Sequence, residues 1–166
     1  MRLDLSKIID CPGASVPFSV SLDLSDLQFG SCFPLKTPIT AVGTVRNTAG
    51  VLMMTGDIDA HLTAVCDRCT GEYEEDITLP LDVVLVTELA DEDHEDERTF
   101  PLDGNDADLD EIIRTVFILN MDTKFLCSED CQGLCFRCGK NLNLGPCECK
   151  KEIDPRFAAL QQLLNK

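Results

Sequence analysis

Residues 51–66, VLMMTGDIDAHLTAVC, decide the fold class of this chain. Apolar side chains recur at almost every second position, and polar side chains fill most of the positions between them. A period of two is typical of a β-strand with one face in the core and one face in water. The apolar face comprises Leu52, Met54, Ile58, Ala60, Leu62, Ala64 and Cys66, and the polar face comprises Thr55, Asp57, Asp59, His61 and Thr63.

The same pattern continues on both sides of this central strand. Residues 16–22 and 37–47 are predicted strands, and the turn residues that follow the second of them predict a hairpin with the central strand. Alternation resumes over residues 73–85. Consecutive strands joined by short turns predict a curved antiparallel β-sheet with one solvent-exposed face.

Two helices complete the predicted fold, which is of the α+β class. Asp108 can cap a helix at about residues 108–120, whose apolar stripe covers the dry face of the sheet. That stripe comprises Ile112, Ile113, Val116, Phe117 and Leu119. Asp154 and Pro155 begin a short terminal helix, which must dock because about thirteen residues are marginal as an isolated helix.

Charge divides the chain at about residue 123. The net charge is −16, and residues 1–123 hold 7 basic and 25 acidic side chains, whereas residues 124–166 hold 7 basic and 5 acidic ones. Such a chain is unsuited to general coating of nucleic acid, which needs Lys and Arg against phosphates. The acidic part favours a basic protein partner, and any contact with RNA falls to the tail.

Several classes of protein are disfavoured by the sequence. The first ten residues, MRLDLSKIID, carry acids among the apolar residues and lack the hydrophobic stretch of an export signal. No apolar run approaches the ~18 residues that a membrane span needs. We therefore expect a cytoplasmic protein that contacts no membrane. In that reducing compartment, clustered cysteines are more often metal ligands or catalytic thiols than disulfides.

The tail segment 126–149, LCSEDCQGLCFRCGKNLNLGPCEC, contains six cysteines. Cys135 and Cys138, with Gly139 directly after them, have the spacing of a zinc knuckle. A tetrahedral site needs two further ligands, and the candidates are Cys127 with Cys131, or Cys147 with Cys149. Spacing favours the first of these pairs and distance along the chain favours the second, so both alternatives remain open.

The expected role of this cluster is structural. One four-thiolate zinc site with two spare thiols is favoured over two zinc ions shared by six thiolates. The segment has too few apolar side chains for a core of its own, so metal binding would supply its folding energy. Because the tail has no histidine and enough sulfur to close the site against water, catalytic zinc is disfavoured. An iron–sulfur cluster is the main competitor, although the spacing is not that of ferredoxins.

A second cysteine pair, Cys66 and Cys69, lies between two predicted strands. Thioredoxin chemistry places such a pair at a helix N-terminus, so we favour a structural turn with reduced thiols, with a metal site as the next interpretation and redox catalysis last. Arg68 between them is suited to contact a carboxylate or phosphate. Cys11 and Cys32 stand alone and are interpreted as buried packing residues.

These motifs together resemble a known family. VCDRC at 65–69, the acidic run and helix after it, CSEDCQGLCFRCGKNLNLGPCEC at 127–149 and IDPRFAALQQLL at 153–164 resemble the YceD-like family of large ribosomal RNA subunit accumulation proteins. The resemblance implies a non-enzymatic protein that supports accumulation or processing of large-subunit ribosomal RNA. It places the family's C-x-R-C motif on Cys66, Arg68 and Cys69, and its zinc-type tail on residues 127–149.

The sequence thus predicts an acidic β-rich core over residues 1–123 and a cysteine-rich, Zn²⁺-binding tail over residues 124–166. We expect the core to bind a ribosomal or assembly protein and the tail to approach large-subunit ribosomal RNA, with no small-molecule substrate. The tail side chains expected at this contact are Lys124, Arg137, Lys140, Lys150 and Lys151. Two rival functions are a thiol-disulfide oxidoreductase that uses Cys66 and Cys69, and a free-standing zinc-ribbon module that binds nucleic acid.

Overall fold

The computed structural model describes residues 1–30, 32–87 and 98–149. The acidic run expected at 88–97 and the terminal helix expected from Asp154 lie outside the described residues, as do Lys150 and Lys151. The described strands are β1 Arg2–Asp4, β2 Ser15–Leu22, β3 Ile39–Thr48, β4 Val51–Val65, β5 Glu72–Val86, β6 Thr99–Pro101 and β7 Asp106–Asp108. The described helices are α1 Ser6–Ile9, α2 Leu109–Asn120 and a 3-10 helix over Leu142–Leu144.

The architecture is a five-stranded sheet with few helices, so the predicted α+β class is confirmed. The strand order is β2-β3-β4-β5-β6, and the first four strands are antiparallel to one another. Strand β6 differs from the expected antiparallel pattern. It pairs with β5 in parallel, with Thr99 next to Val84 and Pro101 next to Val86. Strands β1 and β7 form a separate two-stranded ladder.

The hairpin between β3 and β4 follows from its two turn residues. Ala49 and Gly50 have φ of 54° and 94°, which are the signs of φ in a type I′ turn. Asn47 is fully buried beside this turn, where its amide donates to the carbonyls of Ile8 and Ile9 at 2.8 and 2.7 Å. Its Oδ1 accepts from the Gly50 amide at 2.8 Å. The buried amide is therefore satisfied, and it ties α1 to the sheet.

The predicted faces of the central strand, β4, are confirmed, and β5 has the alternating burial predicted for residues 73–85. Every apolar residue assigned to the dry face of the central strand is buried, and so are Leu81, Val83 and Leu85 of β5. Tyr73, Ile77 and Leu79 at the other end of β5 are only partly buried. That end of the sheet borders a cavity of about 600 Å³ that residues 120–129 line on the opposite side.

Helix α2 covers the dry face as the apolar stripe indicated. Asp108 is its N-cap and accepts from the Asp110 amide at 3.1 Å. The buried side chains of the helix are Leu109, Ile112, Ile113, Val116 and Phe117. Leu119 was wrongly assigned to this stripe: it is 52% exposed, because it lies at the edge of the stripe in the last turn.

The two isolated cysteines also differ from expectation. Cys11 is exposed, because it lies in the turn after α1 rather than under the sheet. Cys32 is half-buried, and its thiol donates to the Phe29 carbonyl at 3.3 Å. Both thiols lie outside the cysteine clusters described below.

A pair of glycines allows β3 and β4 to approach closely. Gly43 and Gly56 face each other in register, and Phe18 of β2 pairs with Gly43 and lays its ring over it. A Cβ atom added at Gly56 would lie 2.2 Å from the Val42 carbonyl oxygen and 2.6 Å from the Gly43 Cα. The pair therefore has a steric reason to be glycine that the alternation of residue types does not reveal.

We expect Gly56→Ala to lower the free energy of unfolding by about 2 kcal/mol, because the methyl group would force the two strands apart. In a strand without such a clash, replacing glycine by alanine would stabilise the fold, because glycine loses more conformational freedom on folding. Urea unfolding followed by circular dichroism measures the effect, and Thr55→Ala on the exposed face of the same strand is the control. Equal midpoints for the two variants would contradict the close approach.

Candidate metal centres

The first cysteine cluster joins the sheet to the tail. It comprises Cys66, Cys69, Cys127 and Cys131, whose Sγ atoms all lie within 4.8 Å of one another. Two of the distances are 3.8 Å between Cys66 and Cys131, and 3.7 Å between Cys69 and Cys127. Zn–S bonds of about 2.3 Å in a tetrahedron place sulfurs about 3.8 Å apart. The cluster therefore has the donors and spacing of a four-thiolate site.

Two structural elements bring these four sulfurs together. Cys66 directly follows β4, and Cys69 lies in the loop before β5. The other pair is carried by the segment after α2, which is anchored through Phe125. The Phe125 carbonyl accepts from the Asp67 amide at 2.8 Å, and its own amide donates to the Asp67 carboxylate at 2.9 Å. These paired hydrogen bonds hold the tail against the loop.

Aromatic packing also holds the segment after α2 that carries Cys127 and Cys131. Phe125 is buried, and its ring meets that of Phe29 edge-on at 6.3 Å. Phe29 meets Phe117 of α2 in the same way, also at 6.3 Å. The path of the chain from α2 to Cys127 is thus set by the hydrophobic core.

The second cluster lies wholly within the tail. It comprises Cys135, Cys138, Cys147 and Cys149, again with all Sγ atoms within 4.8 Å of one another. The Sγ atoms of Cys135 and Cys147 are 3.4 Å apart. Only Cys135 is buried, so this cluster is more exposed than the first, in which three of the four cysteines are buried. It too presents four sulfur donors and no histidine or carboxylate.

The two clusters share one local structure. In the first, the Thr70 amide donates to the Cys66 carbonyl at 2.8 Å, and the Cys66 amide donates to the Gly71 carbonyl at 2.9 Å. Thr70 has a φ of 55°, which is uncommon for a residue other than glycine.

In the second cluster, the Gly139 amide donates to the Cys135 carbonyl at 2.8 Å, and the Cys135 amide donates to the Lys140 carbonyl at 2.8 Å. Gly139 has a φ of 71°. The sequences CDRCTG and CFRCGK therefore form the same knuckle twice, with a left-handed residue directly after the second cysteine.

Thiol acidity in the first cluster reflects its hydrogen bonds. Burial alone would raise the pKa of Cys66, but the backbone amides of Cys127, Cys69 and Arg68 lower that pKa to about 6. Hydrogen bonding to the sulfurs of Cys131 and Cys69 raises the pKa of Cys127 to about 12, because a thiol that donates keeps its proton. A metal ion bound here would displace such protons.

The second cluster repeats this contrast. The backbone amides of Cys138 and Arg137 lower the pKa of Cys135 to about 6. Hydrogen bonding to the Cys138 sulfur raises the pKa of Cys149 to about 12. Each cluster thus combines one strongly acidic thiol at the start of a knuckle with one weakly acidic thiol from the other pair.

The cysteine pairing differs from the favoured sequence interpretation. The sequence favours one site within the tail and a structural turn at Cys66 and Cys69. The structure brings Cys66 and Cys69 together with Cys127 and Cys131, and it leaves Cys147 and Cys149 to complete the knuckle that begins at Cys135. Counting the cysteines would have indicated this arrangement, because four cysteine pairs are enough for two sites of four thiolates each.

Of the six basic residues singled out from the sequence, the four that the structure describes occupy different positions. The Arg68 guanidinium donates to the carbonyls of Glu129 and Cys131 at 3.0 and 3.2 Å, so it clamps the first cluster. Lys140 donates to the Pro146 carbonyl at 2.8 Å. Lys124 is exposed and lines the cavity of about 600 Å³ described above, and Arg137 is exposed within the second knuckle.

Across residues 1–30, 32–87 and 98–149, no helix is long and apolar enough to cross a membrane. Helix α2, with twelve residues, is the longest that the structure describes.

Comparison with known proteins identifies similarities over most of the chain. A family model described as "Large ribosomal RNA subunit accumulation protein YceD" matches residues 54–164, about two thirds of the sequence and all eight clustered cysteines. An uncharacterized protein of Mycobacterium tuberculosis is 26% identical over 174 residues, which cover 99% of this chain and 81% of that protein. No solved structure matches the chain.

Two plant proteins are similar as well. The Arabidopsis thaliana protein named "Large ribosomal RNA subunit accumulation protein YCED homolog 1, chloroplastic" is 24% identical over 160 residues, which cover 79% of this chain and 50% of that protein. The Zea mays protein of the same name is 23% identical over 145 residues, which cover 69% and 50%. The matched region therefore spans half the length of each plant relative.

The two clusters predict two bound metal ions per chain, because each has the donors of one closed site. We expect elemental analysis of the purified protein to give two ions, and Cys131→Ser or Cys147→Ser to reduce that number to one. Cys11→Ser, outside both clusters, should leave it at two. A value of one ion in the unchanged protein, or the same loss from Cys11→Ser, would contradict the assignment of two sites.

Proposed function

Because this chain belongs to the YceD family of large ribosomal RNA subunit accumulation proteins, we propose that it is a non-enzymatic factor in biogenesis of the large ribosomal subunit. The observation that carries the proposal is the family match over residues 54–164, which includes both cysteine clusters. The geometry adds a mode of action. We infer that the protein works by binding assembly partners with a surface whose form depends on two structural metal ions.

Zinc is the metal that the donor set fits best. Both clusters offer four sulfurs and no oxygen or nitrogen ligand, which is the composition of closed structural zinc sites. A closed site has no open position for water or substrate, so it stabilises structure without chemistry. The two CxxC knuckles and the sulfur distances near 3.8 Å support the same choice.

A zinc ion in the first cluster would fasten the tail to the sheet. Cys66 and Cys69 come from the proposed acidic core, residues 1–123, and Cys127 and Cys131 from the proposed tail, residues 124–166. Residues 124–166 alone would supply only two of the four sulfurs of this site. A free-standing zinc-ribbon module is therefore disfavoured, because half of the first site belongs to the sheet.

The charge of the loaded protein favours a basic protein partner. Four thiolates and one Zn²⁺ leave a formal charge of about −2 at each centre. Residues 124–149 contain three basic and three acidic side chains, so zinc binding makes this part of the tail acidic rather than basic. A basic ribosomal or assembly protein therefore fits better than bare RNA as the direct partner. Contact with large-subunit ribosomal RNA through Lys124, Arg137 and Lys140 is the second candidate.

The proposed role requires reduced thiols, and we place the protein in the cytoplasm, where structural zinc–thiolate sites persist. The oxidoreductase alternative suits the geometry poorly. Cys66 follows a strand and enters a hairpin loop instead of beginning a helix. Its sulfur is buried and lies 3.8 Å from that of Cys131, so it faces another ligand rather than a substrate.

Cells that lack the protein should accumulate fewer large ribosomal subunits, because an assembly partner would lose its binding factor. Sucrose-gradient profiles measure the deficit, and immunoblots of the fractions report whether the protein sediments with precursor particles. A copy with Cys69→Ser should restore the profile poorly, and one with Cys11→Ser should restore it fully. Unchanged profiles without co-sedimentation would contradict the proposed role.

A separate binding measurement distinguishes the two partner classes. Affinity for isolated large-subunit ribosomal RNA should be weak at physiological salt, because zinc binding gives residues 124–149 a net negative charge. Tight binding to bare RNA that weakens steeply with salt, and that Lys140→Ala reduces, would indicate that RNA and not a protein is the direct partner.

The zinc-loaded protein should not reduce insulin in the presence of dithiothreitol above the rate of dithiothreitol alone. The reason is that the Cys66 and Cys69 sulfurs are committed to a metal ion. Turbidity of the precipitating insulin chains measures the rate. Acceleration that Cys66→Ser abolishes and Cys11→Ser retains would establish the oxidoreductase instead.

A further inference from the structure

One side chain joins the two cysteine clusters directly. Asn143 lies in the 3-10 helix Leu142–Leu144, within the loop that connects Cys138 to Cys147 of the second cluster. Its Nδ2 donates to the Sγ of Cys131, a member of the first cluster, at 3.2 Å. Its Oδ1 accepts from the Gln132 amide at 2.7 Å. The loop of one cluster therefore hydrogen-bonds a ligand of the other.

The orientation of this amide is fixed by its partners. A backbone N–H can only donate, so the oxygen of Asn143 must face Gln132. The NH₂ group must then face the Cys131 sulfur. The donor to sulfur is thus determined by the hydrogen-bond network, although oxygen and nitrogen of an amide have similar shapes.

Backbone contacts hold the same two segments together. The Leu142 amide donates to the Gly133 carbonyl at 2.9 Å, and the Leu134 amide donates to the Arg68 carbonyl at 3.1 Å. Gly133 has a φ of 69°, and a Cβ added there would lie 3.0 Å from the Arg68 oxygen. The loop of the second cluster therefore packs on the segment between the clusters, and that segment packs on the first knuckle at Arg68. These contacts hold Asn143 next to Cys131.

An N–H donor at this sulfur favours a metal-bound thiolate. Four thiolates leave excess negative charge around a divalent ion, and a hydrogen bond to one of them reduces the charge on that sulfur. Hydrogen bonds from outside the ligand set also orient the ligands. Their loss typically costs 10–100-fold in metal affinity.

We propose that Asn143 is a positioning residue that couples the two metal centres, so that closing the second centre strengthens zinc binding at the first. The second centre shapes the loop between Cys138 and Cys147, and that loop holds the amide against Cys131. The coupling rests on the proposed zinc occupancy of both clusters, and it is independent of the role in ribosome biogenesis.

Two substitutions at one position separate coupling from loop structure. Asn143→Asp keeps the acceptor for the Gln132 amide but replaces the donor with a carboxylate beside the thiolate. Asn143→Ala removes both groups. If the donor to sulfur matters, zinc affinity at the first centre falls about tenfold in the alanine variant and further in the aspartate variant. If Asn143 only shapes the loop, the aspartate variant, which keeps the acceptor for the Gln132 amide, loses less affinity than the alanine variant.

Asn141→Asp is the matched control. It makes the same change of charge two residues earlier, and the Asn141 side chain accepts from the Asn143 amide at 3.0 Å, a role that a carboxylate keeps. An aspartate caps a helix start as well as asparagine does. We expect this control to leave both centres unchanged.

Cadmium-113 NMR of the full chain loaded with Cd²⁺ observes the two centres separately. Two resonances are expected, and Asn143→Asp should shift one of them and leave the other in place, which also shows that the second centre has folded. Chelator competition on the zinc-loaded protein then gives the affinity of each centre. Fewer than two resonances in the unchanged protein would refute the proposed metal sites. Two resonances that are both insensitive to Asn143→Asp would refute the coupling alone.

A double-mutant cycle tests the route of the coupling. Cys147→Ser with Cys149→Ser opens the second centre, and it should weaken zinc binding at the first by about the same factor as Asn143→Ala. In the Asn143→Ala background, opening the second centre should have little further effect. Independent, additive losses would mean that Asn143 does not carry the coupling, and an unweakened first centre would mean that there is none.

Discussion

The convergence of Cys66 and Cys69 with Cys127 and Cys131 is the constraint on which the rest of the tail depends. The paired residues are 65 and 58 positions apart along the chain, and their sulfurs lie 3.8 and 3.7 Å from each other. A link of that span removes loop-closure entropy from the unfolded chain, and the cross-link model assigns it about 4 kcal/mol. A metal ion at this point would therefore fix the tail to the sheet, and the second cluster would form next to an already immobile first knuckle.

The sheet was predictable because it depends on a local pattern. Alternation over residues 51–66 fixes which side chains of the strand face the core, because only one of its two faces is apolar. The positive φ of Ala49 and Gly50 places the turn where the sequence indicated it. The facing glycines Gly43 and Gly56 were missed because their importance appears only when the register of two strands is known. Leu119 was misassigned since a periodic stripe does not show where a helix stops covering the core.

The sequence indicates the cysteine pairs of the candidate sites, but it does not indicate which two pairs form one site. Spacing identifies the two knuckles, Cys66 with Cys69 and Cys135 with Cys138, since two residues between thiols suit a knuckle and its amides. Spacing cannot identify which pairs share an ion, because that depends on how β4, β5 and α2 carry Cys66 and Cys127 to one place. The amide of Asn143 was missed for the same reason: its bond to Cys131 exists only after both loops have folded.

Metal binding also changes what the charge of the sequence implies. Residues 124–166 have a small positive excess when thiols are counted as neutral, and this suggested an RNA-facing tail. Thiolates bound to a divalent ion would reverse that sign locally, because each four-sulfur centre would retain about two negative charges. Arg68, which the sequence suggested for contact with a carboxylate or phosphate, donates instead to the carbonyls of Glu129 and Cys131. The acidic body and the proposed metal centres, with their negative charge, together support the proposal of a basic protein partner.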